Sequence, residues 1–384
     1  MKQTILANAR YWLRVLRAAA GDELLPEADL RSAARAIEAA LAEPDMGAIT
    51  WELALALHPH MEQRGHWADW SGFLQFLILR VRVQNDAKAE AELLLRRGAI
   101  LRQRGDYQGA VFACRRAWKL YRWLKSKSGQ ARAFASLGDV YRLQGQFWRA
   151  EVLCRAALVQ FGNEDCLPER ARTENALALI HFDQGRYLAA IPHLERAETF
   201  NRRAGEWHGL AKVFHNLGEL YRRSGDLGQA LEYLEQAIHY YLQTGDEIHA
   251  ARARLNIGNV YLRQGDLEQA EKTYTRAEAI LLRAGDSLDL AGARHNLGIV
   301  YTRLENWNEA AACFARALEQ WRSREDVWRE ANTLGEMTTL DLARGDLHAA
   351  RTCLERAWQL ASGRREPHFV RLQQELTERR KRLD

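Results

Sequence analysis

Proline is scarce, 6 in 384 residues, so 26 glycines are left to punctuate the chain. Long apolar runs are missing. None approaches the roughly 18–20 uncharged residues that cross a bilayer, which excludes a transmembrane protein. Cysteine is limited to Cys114, Cys154, Cys166, Cys313 and Cys353. An odd, scattered set without C-x-x-C spacing argues against a disulfide framework and for a reducing, cytoplasmic setting. Charge of one sign does not dominate either: 55 basic residues face 50 acidic ones, a net +5, which does not announce nucleic acid. The catalytic signatures H-E-x-x-H, G-x-S-x-G, G-x-x-x-x-G-K-[ST] and strand-borne G-x-G-x-x-G are absent, so no enzyme, cofactor or metal is expected. What is present is ordinary for a globular protein, 47% apolar and 27% charged, and length alone suggests two or three domains.

The glycines carry a pattern. The string glycine, polar, aromatic or Leu occurs as Gly65-His66-Trp67, Gly105-Asp106-Tyr107, Gly145-Gln146-Phe147, Gly185-Arg186-Tyr187, Gly225-Asp226-Leu227, Gly265-Asp266-Leu267 and Gly345-Asp346-Leu347, with Glu305-Asn306-Trp307 in the remaining slot. Each step is 40 residues, as 145 − 105 = 40. Alanine recurs at the same step from Ala110 to Ala350 and from Ala117 to Ala357. A small residue recurs as Gly98, Gly138, Ala178, Gly218, Gly258 and Gly298, and tyrosine as Tyr141, Tyr221, Tyr261 and Tyr301. Such columns describe paired helices, A before the turn and B after it, with small residues where the backbones cross. One pair cannot bury its apolar face alone, so the pairs must stack. Glu305, in a slot that favours a left-handed glycine, is expected to cost about 1 kcal/mol unless Asn306 takes that conformation.

The string Ala253-Arg254-Leu255-Asn256-Ile257-Gly258-Asn259-Val260-Tyr261, followed by Gly265-Asp266-Leu267-Glu268-Gln269-Ala270, resembles a tetratricopeptide repeat. The resemblance runs from about residue 90 to 360. Its 40-residue step, against the common 34, is similar to the LGN/Pins-type scaffolds and to bacterial repeat regions attached to signalling regulators. It implies an all-α, right-handed α-solenoid superhelix whose A helices line a concave groove for extended or helical peptides. Residues 1–85 are expected to form atypical capping pairs, 86–362 seven regular repeats, and 363–384 a C-terminal capping helix.

At the start, Ile5, Ala9, Trp12, Leu13 and Leu16 share one helical face, which outweighs a transit-peptide reading of the basic, acid-free first turns. Leu30, Ala33, Ala34, Ile37 and Leu41 form a second stripe. Residues 48–85 form a degenerate pair, in which Trp70 replaces the column alanine and Pro59 is expected to kink helix A. His58, His60 and His66 lie close in sequence but fit no metal-ligand spacing. Pro367 opens a last helix, 367–382, ending in Arg379-Arg380-Lys381-Arg382, read first as a polar cap and second as a contact for an acidic partner. Residues 107–138 lack acids yet carry Arg115, Arg116, Lys119, Arg122, Lys125, Lys127 and Arg132 with Trp118, Tyr121 and Trp123 among them. A solvated helix B face is the first reading, an acidic protein or membrane contact the second, nucleic acid the third.

Under the resemblance, groove positions lie six and three residues before the small crossing residue and one, four and five after it. The first column reads Arg132, Arg172, Lys212, Arg252, then Gly292, and the last Asp183, Arg223, Arg263, Arg303. Between them stand Asn175, His215 and His295, then Asp139, Glu219 and Asn259, with Arg142 and Arg222. Arginine holds carboxylates bidentately, and asparagine pairs with a peptide backbone through donor and acceptor. The expected ligand is an acidic or C-terminal peptide of a protein partner. In LGN/Pins-type scaffolds groove arginines contact acidic peptides, which the resemblance carries to Arg132, Arg172, Lys212 and Arg252, and kinesin-light-chain-like repeats place a peptide-binding asparagine at Asn175. The opposing reading is that these charges solvate the surface and pair with one another.

Overall fold

The computed structural model describes residues 2–19, 25–63, 67–162 and 166–383. Among these the chain forms nineteen α-helices, one short 3-10 turn at Pro44–Met46, and no strand. Two compact units are present, Met1–Val213 with Gln243–Gly245, and Phe214–Leu242 with Asp246–Asp384.

The first unit contains α1 (Lys2–Ala18), α2 (Glu27–Leu41), α3 (Gly47–Gln63), α4 (Trp67–Val83), α5 (Ala87–Gln103), α6 (Tyr107–Trp123), α7 (Lys127–Leu143), α8 (Phe147–Phe161), α9 (Leu167–Asp183) and α10 (Tyr187–Ala204). The unit boundary falls within α11 (Trp207–Ser224). The second unit contains α12 (Leu227–Gln243), α13 (Glu247–Gln264), α14 (Leu267–Ala284), α15 (Ser287–Arg303), α16 (Trp307–Ser323), α17 (Val327–Ala343), α18 (Leu347–Ala361) and α19 (Pro367–Arg380). The sequence period is the structural period. Helix starts at Ala87, Lys127, Leu167, Trp207, Glu247, Ser287, Val327 and Pro367 are 40 residues apart, for example 127 − 87 = 40.

Both alanine columns, Ala110 to Ala350 and Ala117 to Ala357, are fully buried where A and B helices meet. Glycine at the crossing is dictated by contact: a Cβ on Gly258 would stand 2.5 Å from the Tyr274 ring, and one on Gly298 2.5 Å from Phe314. Aspartate supplies a device that the turn string only hinted at. Asp106 accepts from the Gly109 amide at 2.9 Å, Asp266 from Gln269 at 3.1 Å and Asp346 from Ala349 at 3.0 Å, so the residue after the turn glycine caps helix B.

The turn of the sixth regular repeat follows the first of the two expectations. Glu305 itself is left-handed, at φ 60°, while Asn306 precedes α16 at φ −87°. Lys125 and Glu325 share the conformation, at φ 54° and 55°, so the strain is not peculiar to this repeat.

At the first end, Ala9, Leu13 and Leu16 of α1 and Leu30, Ala33, Ile37 and Leu41 of α2 are buried, while Ile5, Trp12 and Ala34 are partly so. Helix α3 continues through Pro59. Trp70, in the alanine slot, is 2% exposed and donates its indole N–H to His58 Nδ1 at 2.9 Å. His60 Nε2 lies 3.2 Å from the Leu16 carbonyl. These two histidines thus serve the packing of the first helices. Gly65, His66 and the side chain of Trp67 lie outside the described residues. At the other end α19 closes two residues earlier than its pattern suggested, at Arg380. Arg379 bonds Thr339 at 3.1 Å and pairs with Glu336 of α17.

The column cysteines are packing residues. Burial pushes the Cys114 thiol up to about 12 and raises Cys154, and the Cys114 Sγ lies where a Cβ on Gly98 would go. Such thiols are poor nucleophiles.

Candidate functional site

The expected ligand-binding residues stand on the A helices, α7, α9 and α11 in the first unit and α11, α13 and α15 in the second. Each repeat delivers the same register, so a residue 40 positions on occupies the equivalent place. What each cation touches differs.

In the first unit Arg132 is committed. Its guanidinium grips Glu92 of α5 with both nitrogens, one at 2.9 Å, and lies 5.4 Å from the Tyr121 ring centre. The Tyr121 hydroxyl donates to the same carboxylate at 2.6 Å. Burial alone pushes Glu92 up, but the hydrogen bonds and charge of Arg132 outweigh it and hold the carboxyl below its ordinary value. Arg172 is open by contrast. Its side chain is 69% exposed and, among the described residues, meets its own helix, Glu169 at 3.1 Å and the Pro168 carbonyl at 3.3 Å. Lys212 is exposed and Asn175 half-buried.

In the second unit the first-column cation is again committed. Arg252 of α13 bonds Asp286 at 2.9 Å and Asp289, both at the start of α15. Asp286 also caps α15. Arg222 pairs with Glu219 through two bonds of 2.6 Å, and Arg223 joins the same carboxylate at 2.8 Å. Arg263 and Arg303 act on backbone: their Nη1 groups donate to the Arg222 and Leu262 carbonyls one repeat upstream, at 2.9 and 3.3 Å. Those carbonyls belong to the final turns of A helices, whose last acceptors lack intrahelical partners.

A neutral ladder runs beside these ions. His215 Nε2 lies 3.0 Å from Asn256 Nδ2, Asn259 donates to Asn256 at 3.4 Å, and Asn259 Oδ1 accepts from Tyr274 at 2.7 Å and Asn296 at 3.0 Å. His295 Nδ1 lies 2.9 Å from the Thr333 hydroxyl. Burial, aided by nearby cations, lowers both His215 and His295 to about 4, so they are neutral at pH 7. A cavity of about 410 Å³ opens on the same face, lined by Arg303 and Thr302 of α15, Glu336 and Thr339 of α17, and Arg379 of α19.

Sequence reading therefore found the cations and one of their acids, Glu219, but missed Glu92, Asp286 and Asp289. Glu92 stands 40 residues before Arg132, in the same column, and one more step upstream reveals it. Asp286 and Asp289 lie in the next repeat's cap, outside the groove columns. Among the described residues no group of three or more His, Cys, Asp or Glu is arranged to hold a metal ion, and no helix is long and apolar enough to cross a membrane.

A profile of the tetratricopeptide repeat matches residues 169–243, 249–323 and 289–362. No curated protein matches the sequence. Solved structures do. The signal transduction ATPase with a tetratricopeptide repeat sensor from Pyrococcus horikoshii is similar with a TM-score of 0.66 and 13% identity, over 92% of this chain and 56% of that one. A Rap protein complexed with competence and sporulation factor gives 0.60 and 16%, over 99% and 100%. Aspartyl phosphate phosphatase F from Bacillus subtilis gives 0.59 and 13%, over 94% and 95%. At these identities the likeness is one of fold, an all-α solenoid type built from helix–turn–helix pairs. Proteins of this repeat are in general interaction modules. By its profile matches, its column pattern and its stacked helix pairs, this chain belongs to the tetratricopeptide repeat family.

Proposed function

We propose that the chain is a non-enzymatic adaptor that binds an acidic or C-terminal peptide of a protein partner on its A-helix faces. The observation that carries this reading is the exposure of Arg172, with Lys212 exposed at the equivalent place one repeat on and Asn175 one turn from Arg172. A guanidinium and an ammonium at matching positions of successive A helices suit a ligand bearing carboxylates along an extended backbone, and Asn175 suits the amides between them. On the second unit the exposed Arg223, Arg263 and Arg303 supply the cations and Asn259 the amide contact. A peptide array of acidic and neutral segments tests the reading. Acidic segments are enriched on the intact chain, and the double variant Arg172→Glu, Lys212→Glu loses them by about tenfold or more. Capture unaltered by that double reversal rejects the proposal.

A second reading, a peptide-sensing regulator, is favoured by the ionic clasps between successive A helices, Arg132–Glu92 and Arg252–Asp286/Asp289. A ligand carboxylate that exchanges for Glu92 frees α5 from α7, so binding changes repeat stacking. Small-angle scattering with and without captured peptide decides: an unchanged profile leaves the simple adaptor.

A further inference from the structure

The B helices of the first unit carry side chains that the fold does not use. Phe112 of α6, Trp148, Val152 and Val159 of α8, and Leu188 of α10 are exposed, Trp148 by 75% and Leu188 by 82%. The repeat supplies an internal control. Three and seven residues after the turn glycine, the first unit has Gln108 and Phe112, Trp148 and Val152, Leu188 and Pro192. The second unit has Gly228 and Glu232, Glu268 and Lys272, Asn308 and Ala312, His348 and Thr352 at the same template positions. Equivalent solvent-facing positions accept polar or small residues in four repeats, so packing does not require large apolar groups in the other three.

Cations flank these groups. On α6 Phe112, Arg115, Lys119, Arg122 and Trp123 follow helical spacing along one exposed stripe. Among the described residues Arg115, Lys119, Arg122 and Arg149 meet no carboxylate. Arg115 instead donates to the Tyr141 hydroxyl at 2.8 Å, Arg122 lies 4.9 Å from the Trp118 ring centre, and Arg149 lies 5.9 Å from the Tyr141 ring centre. Arg115 and Arg149 therefore meet at one tyrosine of α7, which makes the outer faces of α6 and α8 neighbours. Arg186, at the start of α10, reaches Glu151 of α8 at 3.7 Å and brings the third helix alongside.

We propose that this face of α6, α8 and α10 is a docking surface for an acidic amphipathic segment of a partner protein, separate from the A-helix faces. The apolar groups offer anchors of the kind that dominate binding energy, and the cations that meet no carboxylate among the described residues complement carboxylates beside the partner's apolar stripe. Glu151 and Glu195 stand among the stripes. They disfavour an anionic lipid surface, whereas a folded or folding segment can place a cation or a gap against them.

The test uses the full chain carrying Arg172→Glu and Lys212→Glu, which reverses the A-helix cations, and a fluorescein-labelled peptide of leucine and glutamate at helical spacing, with a leucine–lysine twin. The acidic peptide is expected to bind, more weakly as salt rises, and the basic twin is not. Trp148→Glu with Leu188→Glu weakens binding about tenfold or more, with circular dichroism unchanged because both positions are exposed. With Arg172 and Lys212 already reversed in this background, this proposal and the A-face reading fail independently. Equal binding of the two twins, unaltered affinity on Trp148→Glu with Leu188→Glu, or no binding of the acidic peptide in this background overturns the surface. Self-association, or capture by anionic vesicles, that the double variant abolishes while the acidic peptide never binds overturns the stated occupant.

Discussion

The A helices of the two units answer the same template with different chemistry. In the first unit Arg132, Glu92 and Tyr121 form an ionic clasp between α5 and α7. In the second, His215, Asn256, Asn259, Asn296 and Tyr274 form a neutral ladder from α11 to α15. Both join successive repeats, yet they store pH sensitivity in different windows. Glu92 is held below its ordinary value, so its contribution is complete above the unfolded carboxylate range and is lost as pH falls through its lowered folded value. His215 and His295 have folded values of about 4 against 6.5. Their neutral forms favour folding fully above 6.5, and that advantage erodes as pH falls from 6.5 to about 4.

The largest effect is expected from Glu92→Ala, which leaves Arg132 mostly buried and without its carboxylate; about 3 kcal/mol of stability should go. Chemical denaturation at pH 7 measures it, and a loss below 1 kcal/mol means that the clasp is an ordinary surface pair. Next comes the pH window. Between pH 6.5 and 4 the second unit should weaken by about 1 kcal/mol per pH unit for each histidine. His215→Gln with His295→Gln should flatten that slope, whatever constant stability they cost. A slope that persists in the double variant assigns the acid sensitivity elsewhere. The smallest change is Glu305→Gly, in a turn that belongs to neither network. Relief of the left-handed strain should raise stability by about 1 kcal/mol and leave both pH profiles untouched. A shifted profile ties the turn to the ladder.

Much of this architecture was legible because a 40-residue period averages over local ambiguity. Any one glycine, polar, aromatic-or-Leu string is a weak turn signal, whereas seven in register fix helix pairs, the crossing glycines and the A-helix columns. Trp70 in the alanine slot and the capping stripes were legible for the same reason. The partners of Arg132 and Arg252 were not. Whether Arg132 is open or clasped depends on one acid a repeat away, and whether His215 is charged depends on burial that no column records. Arg172 and Arg132 look identical in sequence and differ entirely in surroundings. The aspartates after the turn glycines were visible as polar residues, but their capping role depends on backbone geometry.

The arginines that donate backward to backbone have one further consequence. Arg263 and Arg303 each tie their repeat to the one before through the carbonyls of Arg222 and Leu262. Ala343 occupies the next place in that column, and there Arg379 holds α17 through Glu336 and Thr339 instead. A tie to a carbonyl survives any side-chain replacement at the acceptor other than proline disrupting the helix itself, whereas a tie to Glu336 is lost with one codon. The stack is thus joined by mutation-tolerant links between α11, α13 and α15 and by a mutation-sensitive link at α17 and α19. Sequence drift at acceptor positions is buffered in the former and exposed in the latter.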